Sequence, residues 1–160
     1  MSPKNIVISV GKVTVNISPI GYHVYASEFA TYARQAHAGL VDKFSPVPYY
    51  LYCHSLELVL KAFLLANGVA KADLKKSILR HDLCKILTKA KELGLEQNVP
   101  LAAGWEVEIQ KANGYYAGKG FEYFHVVAAC LAFPDLPALD VLNEIVTTLL
   151  EKLEKMCLAA

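Results

Sequence analysis

The feature that most constrains the fold is a long apolar stretch in residues 48–83, PYYLYCHSLELVLKAFLLANGVAKADLKKSILRHDL. After its first residue it contains no Gly or Pro before Gly68, and it is too long for an ordinary strand, so it predicts a helix. Asn67 and Gly68 are residues typical of a helix end. Because most side chains in this helix are apolar, we expect it to be buried on nearly all sides.

The exceptions to this apolar pattern are ordered. Tyr50, His54, Glu57 and Lys61 follow one another at steps of four, three and four residues. At about 100° per residue, these positions fall within a stripe of roughly 60° on the helix surface. Glu57 and Lys61 form an i,i+4 pair in the favourable order, and a buried charge is costly unless it is paired. The pair must therefore satisfy itself or meet a polar partner.

The chain supplies a candidate partner where the next helix is predicted to begin, at His81 and Asp82. As structure, a shared polar cluster would fix the register of the helices, and Asp82 would cap its own helix. As function, Glu57 would tune His81 as an acid–base group while Lys61 or Arg80 holds a phosphate. The candidate catalytic residues are Glu57, Lys61 and His81, and their structural neighbours are His54 and Asp82.

The net charge of +1 gives the chain no global field toward nucleic acid or an anionic membrane. Residues 71–91 are rich in lysine, a pattern that is by default a solvated helix face. The loop YYAGKG at residues 115–120 places Lys119 beside tyrosines that could stack on bases, or that could simply pin the loop to the protein. The candidate contacts to nucleic acid or a nucleotide are Arg80, Lys76 and Lys119.

The remaining pattern predicts a mainly α protein. Two β-branched runs around Gly11-Lys12 predict a hairpin in residues 5–17. Helices are predicted at 22–40, with tyrosines in the core and at its rim, at 82–93, at 100–112, and from about 136 to 156. Residues 121–133 fit a strand or a helix. We predict one domain over residues 1–160, a single bundle of four to five helices (20–157) with a short N-terminal β-hairpin (1–18).

Composition limits the setting. No apolar run reaches the roughly 18 residues of a membrane span, although the mean hydropathy of +0.31 predicts surplus apolar surface and a homo-oligomer. The four cysteines are widely separated without CxxC spacing, which favours reduced thiols in the cytoplasm. The sequence contains no motif typical of a metal or cofactor site, so we predict neither.

With these residues placed, two segments resemble the HEPN superfamily of bacterial and archaeal helical bundles. HSLELVLKAFLLANG at residues 54–68 and RHDLCKIL at 80–87 are similar to its pattern SxELxLKxxLxxxG … HDLxxL. The similarity covers residues 51–93. It implies a bundle of four or five helices, commonly a homodimer, from families tied to RNA cleavage, nucleotide binding, phage defence and toxin–antitoxin pairs.

The ribonuclease branch of that superfamily carries an Arg followed, after four to six residues, by a His. The arginines of this chain, Arg34 and Arg80, have no histidine at that spacing. The resemblance therefore implies a non-catalytic or partner-dependent module that binds RNA, a nucleotide or a protein such as a nucleotidyltransferase or an antitoxin. The alternative is a divergent ribonuclease or nucleotide-handling toxin that uses Glu57, Lys61, Arg80 and His81.

Overall fold

The structure is a computed structural model that describes residues 6–10, 13–40, 43–75, 79–123 and 133–160. Its described part is mainly helical, which confirms the predicted class. The helices are α1 (Pro19–Ala38), α2 (Pro46–Ala66), α3 (Lys71–Leu74), α4 (Leu83–Glu92), α5 (Leu95–Asn98), α6 (Trp105–Tyr116) and α7 (Leu139–Ala159). Strands β1 (Ile6–Val10) and β2 (Val13–Ile17) pair antiparallel, with Val10 opposite Val13.

Helix α2 is the centre of the fold. It begins at Pro46, two residues before the apolar stretch that starts at Pro48. Pro46 suits the first turn because it lacks an N–H that this turn would leave unpaired. Ser45 caps the helix, since its Oγ accepts a hydrogen bond from Val47 N at 3.3 Å. It ends at Ala66, followed by Gly68 with φ of +84°. Helices α1, α4, α6 and α7 all pack against it. The predicted burial on nearly all sides is confirmed, down to 0 % exposure at Leu56.

Helix α1 faces α2 through small side chains. Ala26, Ala30 and Ala33 are 0 % exposed, and Ser55 Oγ of α2 donates a hydrogen bond to Ala26 O at 2.7 Å. The alanines let the two backbones approach closely, so the larger aromatic side chains are displaced to the rim. The tyrosines of this helix lie at that rim: Tyr22 is partly buried against the core, and Tyr32 is 57 % exposed.

Helix α7 packs against both α1 and α2. Its inward face is apolar, because Leu142, Ile145, Val146, Leu149 and Leu153 are all buried. Within the described residues, no helix is both long and apolar enough to cross a membrane.

Both ends of α6 differ from prediction. The helix expected at 100–112 is α6, which starts at Trp105 after Gly104 with φ of +90° and continues through Asn113 and Gly114 to Tyr116. Asn113 does not end it, because its side chain binds the start of α4. The choice between a strand and a helix for residues 121–133 stays a prediction, because residues 124–132 lie outside the described part. Residues 121–123 form a turn.

Candidate functional site

One buried carboxylate organises the polar stripe of α2. Glu57 is 2 % exposed, and three side chains donate hydrogen bonds to it. Lys61 Nζ lies 2.5 Å from Oε1, while Tyr116 Oη and His81 Nδ1 lie 2.5 Å and 3.0 Å from Oε2. The three donors come from α2, from α6 and from the turn before α4. We call Glu57, Lys61, His81, Tyr116 and His54 the Glu57 cluster.

The start of α4 fixes the position of His81. Asp82 is the N-cap of α4, and its Oδ1 accepts hydrogen bonds from Lys85 N at 3.1 Å and from Asn113 Nδ2 at 3.2 Å. Asn113 Oδ1 in turn accepts from Leu83 N at 2.7 Å, so α6 holds the first turn of α4. His81 precedes this cap with φ of +56°, a conformation that directs its ring back to Glu57.

His54 completes the cluster from one turn before Glu57. Its Nδ1 lies 2.8 Å from Tyr116 Oη and 4.0 Å from Glu57 Oε2. Its ring is parallel to that of Tyr50, with centroids 5.7 Å apart, and meets the edge of Phe29 at 4.4 Å. The His54 side chain is 22 % exposed, and the His81 side chain is 34 % exposed. The two imidazoles thus connect the buried carboxylate with the surface.

The surroundings of Glu57 keep it ionised. Burial alone would raise the pKa of its carboxyl group, but the hydrogen bonds from Lys61, Tyr116 and His81 and the charge of Lys61 hold that pKa below its usual value. The same arrangement raises the pKa of Tyr116, through burial first and then through the Glu57 charge. Tyr116 is therefore a hydrogen-bond donor to the ionised Glu57 carboxylate.

Burial is also the largest influence on the pKa of His54. It lowers the pKa of the imidazole, and the charges of His81 and Lys61 lower it further, whereas those of Glu57 and Glu122 oppose the shift. His54 is therefore neutral at pH values where a free histidine is already partly charged.

The structure brings the candidate catalytic residues together and leaves other candidates apart. Arg80 is exposed next to His81, and Asp82 serves as a helix cap bound to Lys85 and Asn113. Lys119 Nζ lies 3.7 Å from Glu122 Oε2 and 5.6 Å from the centre of the Tyr123 ring. Lys76 lies outside the described residues.

Sequence reasoning missed the role of Tyr116, which it placed in a loop. Trp105, Ile109, Ala112 and Tyr116 follow one another at steps of four, three and four, and all are buried in α6. The same spacing that marked the polar stripe of α2 would have placed Tyr116 on the inner face of a helix.

The arrangement can orient an imidazole and present it, with a guanidinium beside it, to an anion. Among the described residues, no three His, Cys, Asp or Glu side chains are grouped as metal ligands. Comparison with protein-family models, curated proteins and solved structures finds no match to this chain. The functional conclusion consequently depends on the chemistry of the Glu57 cluster.

Proposed function

We propose that this chain is a HEPN-like helical module, non-catalytic or dependent on a partner, that binds RNA or a nucleotide through its phosphate at Arg80 and His81. One observation carries the proposal: buried Glu57 holds His81 by Nδ1 at 3.0 Å, while the rest of the ring reaches the surface beside exposed Arg80. A guanidinium presents a planar fork of donors that matches phosphate, and a protonated imidazole adds a further N–H.

The composition of the cluster supports binding over a purely structural role. Lys61 alone neutralises Glu57, at 2.5 Å, and completes a buried pair. Such clusters give little net stability compared with apolar packing, so two additional histidines that lead to the surface need another explanation. Holding His81 in one orientation for a ligand is that explanation, because a positioned group loses less entropy on binding.

Fluorescence anisotropy with a labelled single-stranded RNA tests the proposal. Arg80→Ala should weaken binding about tenfold or more, since a charged hydrogen bond contributes about 1.5–3 kcal/mol. Lys75→Ala is the matched control, because Lys75 is an exposed cation of the same basic stretch outside the Glu57 cluster. Equal losses in both variants would indicate diffuse electrostatic attraction, and unchanged binding in Arg80→Ala would contradict the site.

A second candidate function is a divergent ribonuclease or nucleotide-handling toxin that uses Glu57, Lys61, Arg80 and His81. The observation that favours it is the carboxylate–imidazole contact, the geometry that orients a general base. Incubation of total RNA with the wild type and with His81→Ala separates the two functions. Cleavage that the variant loses supports the enzyme, whereas intact RNA with retained binding supports the module.

The resemblance extends the proposal to a cytoplasmic homodimer in a defence or toxin–antitoxin setting, with a nucleotidyltransferase or antitoxin as the protein partner. Exposed aromatic side chains of α1 support self-association, since Tyr25 is 49 % and Tyr32 57 % exposed. Sedimentation equilibrium tests this part: the wild type should have twice the monomer mass, and Tyr25→Lys/Tyr32→Lys should have the monomer mass. A monomeric wild type would contradict it.

A further inference from the structure

The hydrogen bonds of the Glu57 cluster determine which nitrogen of His54 carries a proton. An ionised carboxylate only accepts hydrogen bonds, so Tyr116 Oη must donate its one hydrogen to Glu57 Oε2 at 2.5 Å. At its 2.8 Å contact with His54 Nδ1, the same oxygen can then only accept. His54 Nδ1 therefore carries the hydrogen, and the Nε2 of the neutral ring has a free lone pair.

The side chain that carries this lone pair is partly exposed, at 22 %. Among the described residues, no hydrogen bond reaches His54 Nε2, and the buried side-chain atoms without a hydrogen-bond partner are Tyr52 Oη and Lys71 Nζ. The ring itself is held between Phe29 and Tyr50 and cannot turn freely. His54 thus presents a fixed acceptor, where Arg80 presents only donors.

We propose that His54 is a specificity residue that accepts a hydrogen bond from a ligand hydroxyl next to the bound phosphate, and that Tyr116 is the residue that positions it. The inference rests on the proposed function, in which Arg80 and His81 take the phosphate. Phosphate esters of ribose have this chemistry, because a 3′-phosphate lies beside the 2′-hydroxyl. The site would therefore distinguish ribonucleotides from deoxyribonucleotides.

The geometry allows one ligand to meet both histidines. His54 Nδ1 and His81 Nδ1 lie 4.0 Å and 3.0 Å from the same oxygen, Glu57 Oε2, so the two partly exposed rings are neighbours. The Glu122 carboxylate, whose charge acts on His54, faces Lys119 at 3.7 Å. Because the proposed function uses His81 as a donor to the phosphate, His54 Nε2 is the acceptor that this pair of histidines offers to a ligand hydroxyl.

Nitrogen NMR of histidine-labelled protein tests the positioning step without any ligand. In the wild type, His54 should show a protonated Nδ1 and an unprotonated Nε2 near neutral pH. Tyr116→Phe keeps the ring but removes the acceptor oxygen, so the two tautomers should become mixed. Tyr115→Phe, the same change one residue away, should leave the His54 signals unchanged. A protonated Nε2 in the wild type would overturn the inference.

Calorimetric titration with adenosine 3′-monophosphate and 2′-deoxyadenosine 3′-monophosphate tests the specificity step. The wild type should prefer the ribonucleotide by about two- to tenfold, the range of one neutral hydrogen bond. His54→Leu should remove this preference, so that both nucleotides bind with equal affinity, and His54→Gln, which keeps an acceptor, should restore part of it. His54→Leu leaves the Tyr116–Glu57 contact in place, so it also serves if Tyr116→Phe does not fold.

The outcomes separate the two proposals. Equal affinity for both nucleotides, with a loss in Arg80→Ala, would overturn the role of His54 and leave the phosphate site standing. Binding of neither nucleotide by the wild type would overturn both proposals. A preference that survives in His54→Leu would assign the selection to another residue and overturn the inference.

Discussion

At the residue scale, the Glu57 cluster depends on a single carboxylate that neutralises a nearly buried ammonium. Lys61 is 8 % exposed, and its Nζ lies 2.5 Å from Glu57 Oε1. Glu57→Gln keeps the shape but leaves this ammonium without its counter-charge, so we expect a loss of about 3–5 kcal/mol in the free energy of unfolding. Urea denaturation measures the change.

Two controls make this prediction specific. Adding Lys61→Met to Glu57→Gln removes the uncompensated charge, so the double variant should be more stable than Glu57→Gln alone. Glu92→Gln breaks an exposed pair with Lys89 at 2.8 Å and should change stability by less than about 0.5 kcal/mol. A similar cost for Glu57→Gln and Glu92→Gln would contradict the importance of the buried pair.

The low pKa of Glu57 also makes stability depend on pH. Because the pKa of this group in the folded state is below the ordinary 4.5, its stabilisation is fully present above about pH 4.5 and is lost as the pH falls through the folded-state pKa. The difference in Tm between the wild type and Glu57→Gln should therefore shrink on acidification below that pH. The limiting slope is about 1.4 kcal/mol per pH unit. A constant difference would contradict the shift.

His54 titrates in a separate window. Its folded-state pKa is lowered from 6.5, so the unfolded chain takes up the proton first and stability falls as the pH drops below about 6.5. The wild type should show this second decline, and His54→Leu should lack it. The two windows can be resolved in one series of melting curves.

At the element scale, the start of α4 joins two helices through one cap. Asp82 Oδ1 accepts hydrogen bonds from Lys85 N and Asn113 Nδ2, at 3.1 Å and 3.2 Å. Asp82→Ala should lower the free energy of unfolding by about 1–2 kcal/mol, because the cap and its bond to α6 are lost together. Ser45→Ala, which removes the cap of α2 at 3.3 Å, should cost less. Equal costs would indicate that the Asn113 bond adds nothing.

Helix boundaries set by nearby residues were predicted from the sequence. The end of α2 just before Gly68 and the cap at Asp82 depend on neighbours within four residues, so their signals are local and were predicted. The end of α6 was not predicted correctly. Asn113 is a helix-ending residue by local chemistry, but its side chain binds Leu83 N, 30 positions earlier in the chain. The spacing in α6 could have placed Tyr116 on a buried helix face, but its partner Glu57, 59 positions away, has no local signal.

At the scale of the whole molecule, α2 connects the layers of the bundle. It packs against α1, α4, α6 and α7, while α1 also packs against α7 and α4 against α6. The sequence predicted this central helix because its apolar composition leaves only a narrow polar stripe. It did not predict how α1 packs, because the choice between alanine and tyrosine faces depends on how closely two backbones approach. Central burial of α2 implies that the described helices unfold together.

Leu56→Ala tests this cooperativity. Leu56 is 0 % exposed in α2, so its truncation should cost about 2–5 kcal/mol. Far-UV circular dichroism reports all helices, whereas fluorescence of Trp105, the only tryptophan, reports α6, where this residue is 4 % exposed. Both signals should shift to the same lower Tm, because α6 packs on α2.

Leu158→Ala, at a position that is 64 % exposed, is the control and should change the free energy of unfolding by less than about 0.5 kcal/mol in both signals. Fluorescence that melts apart from circular dichroism would show that α6 unfolds as a separate unit.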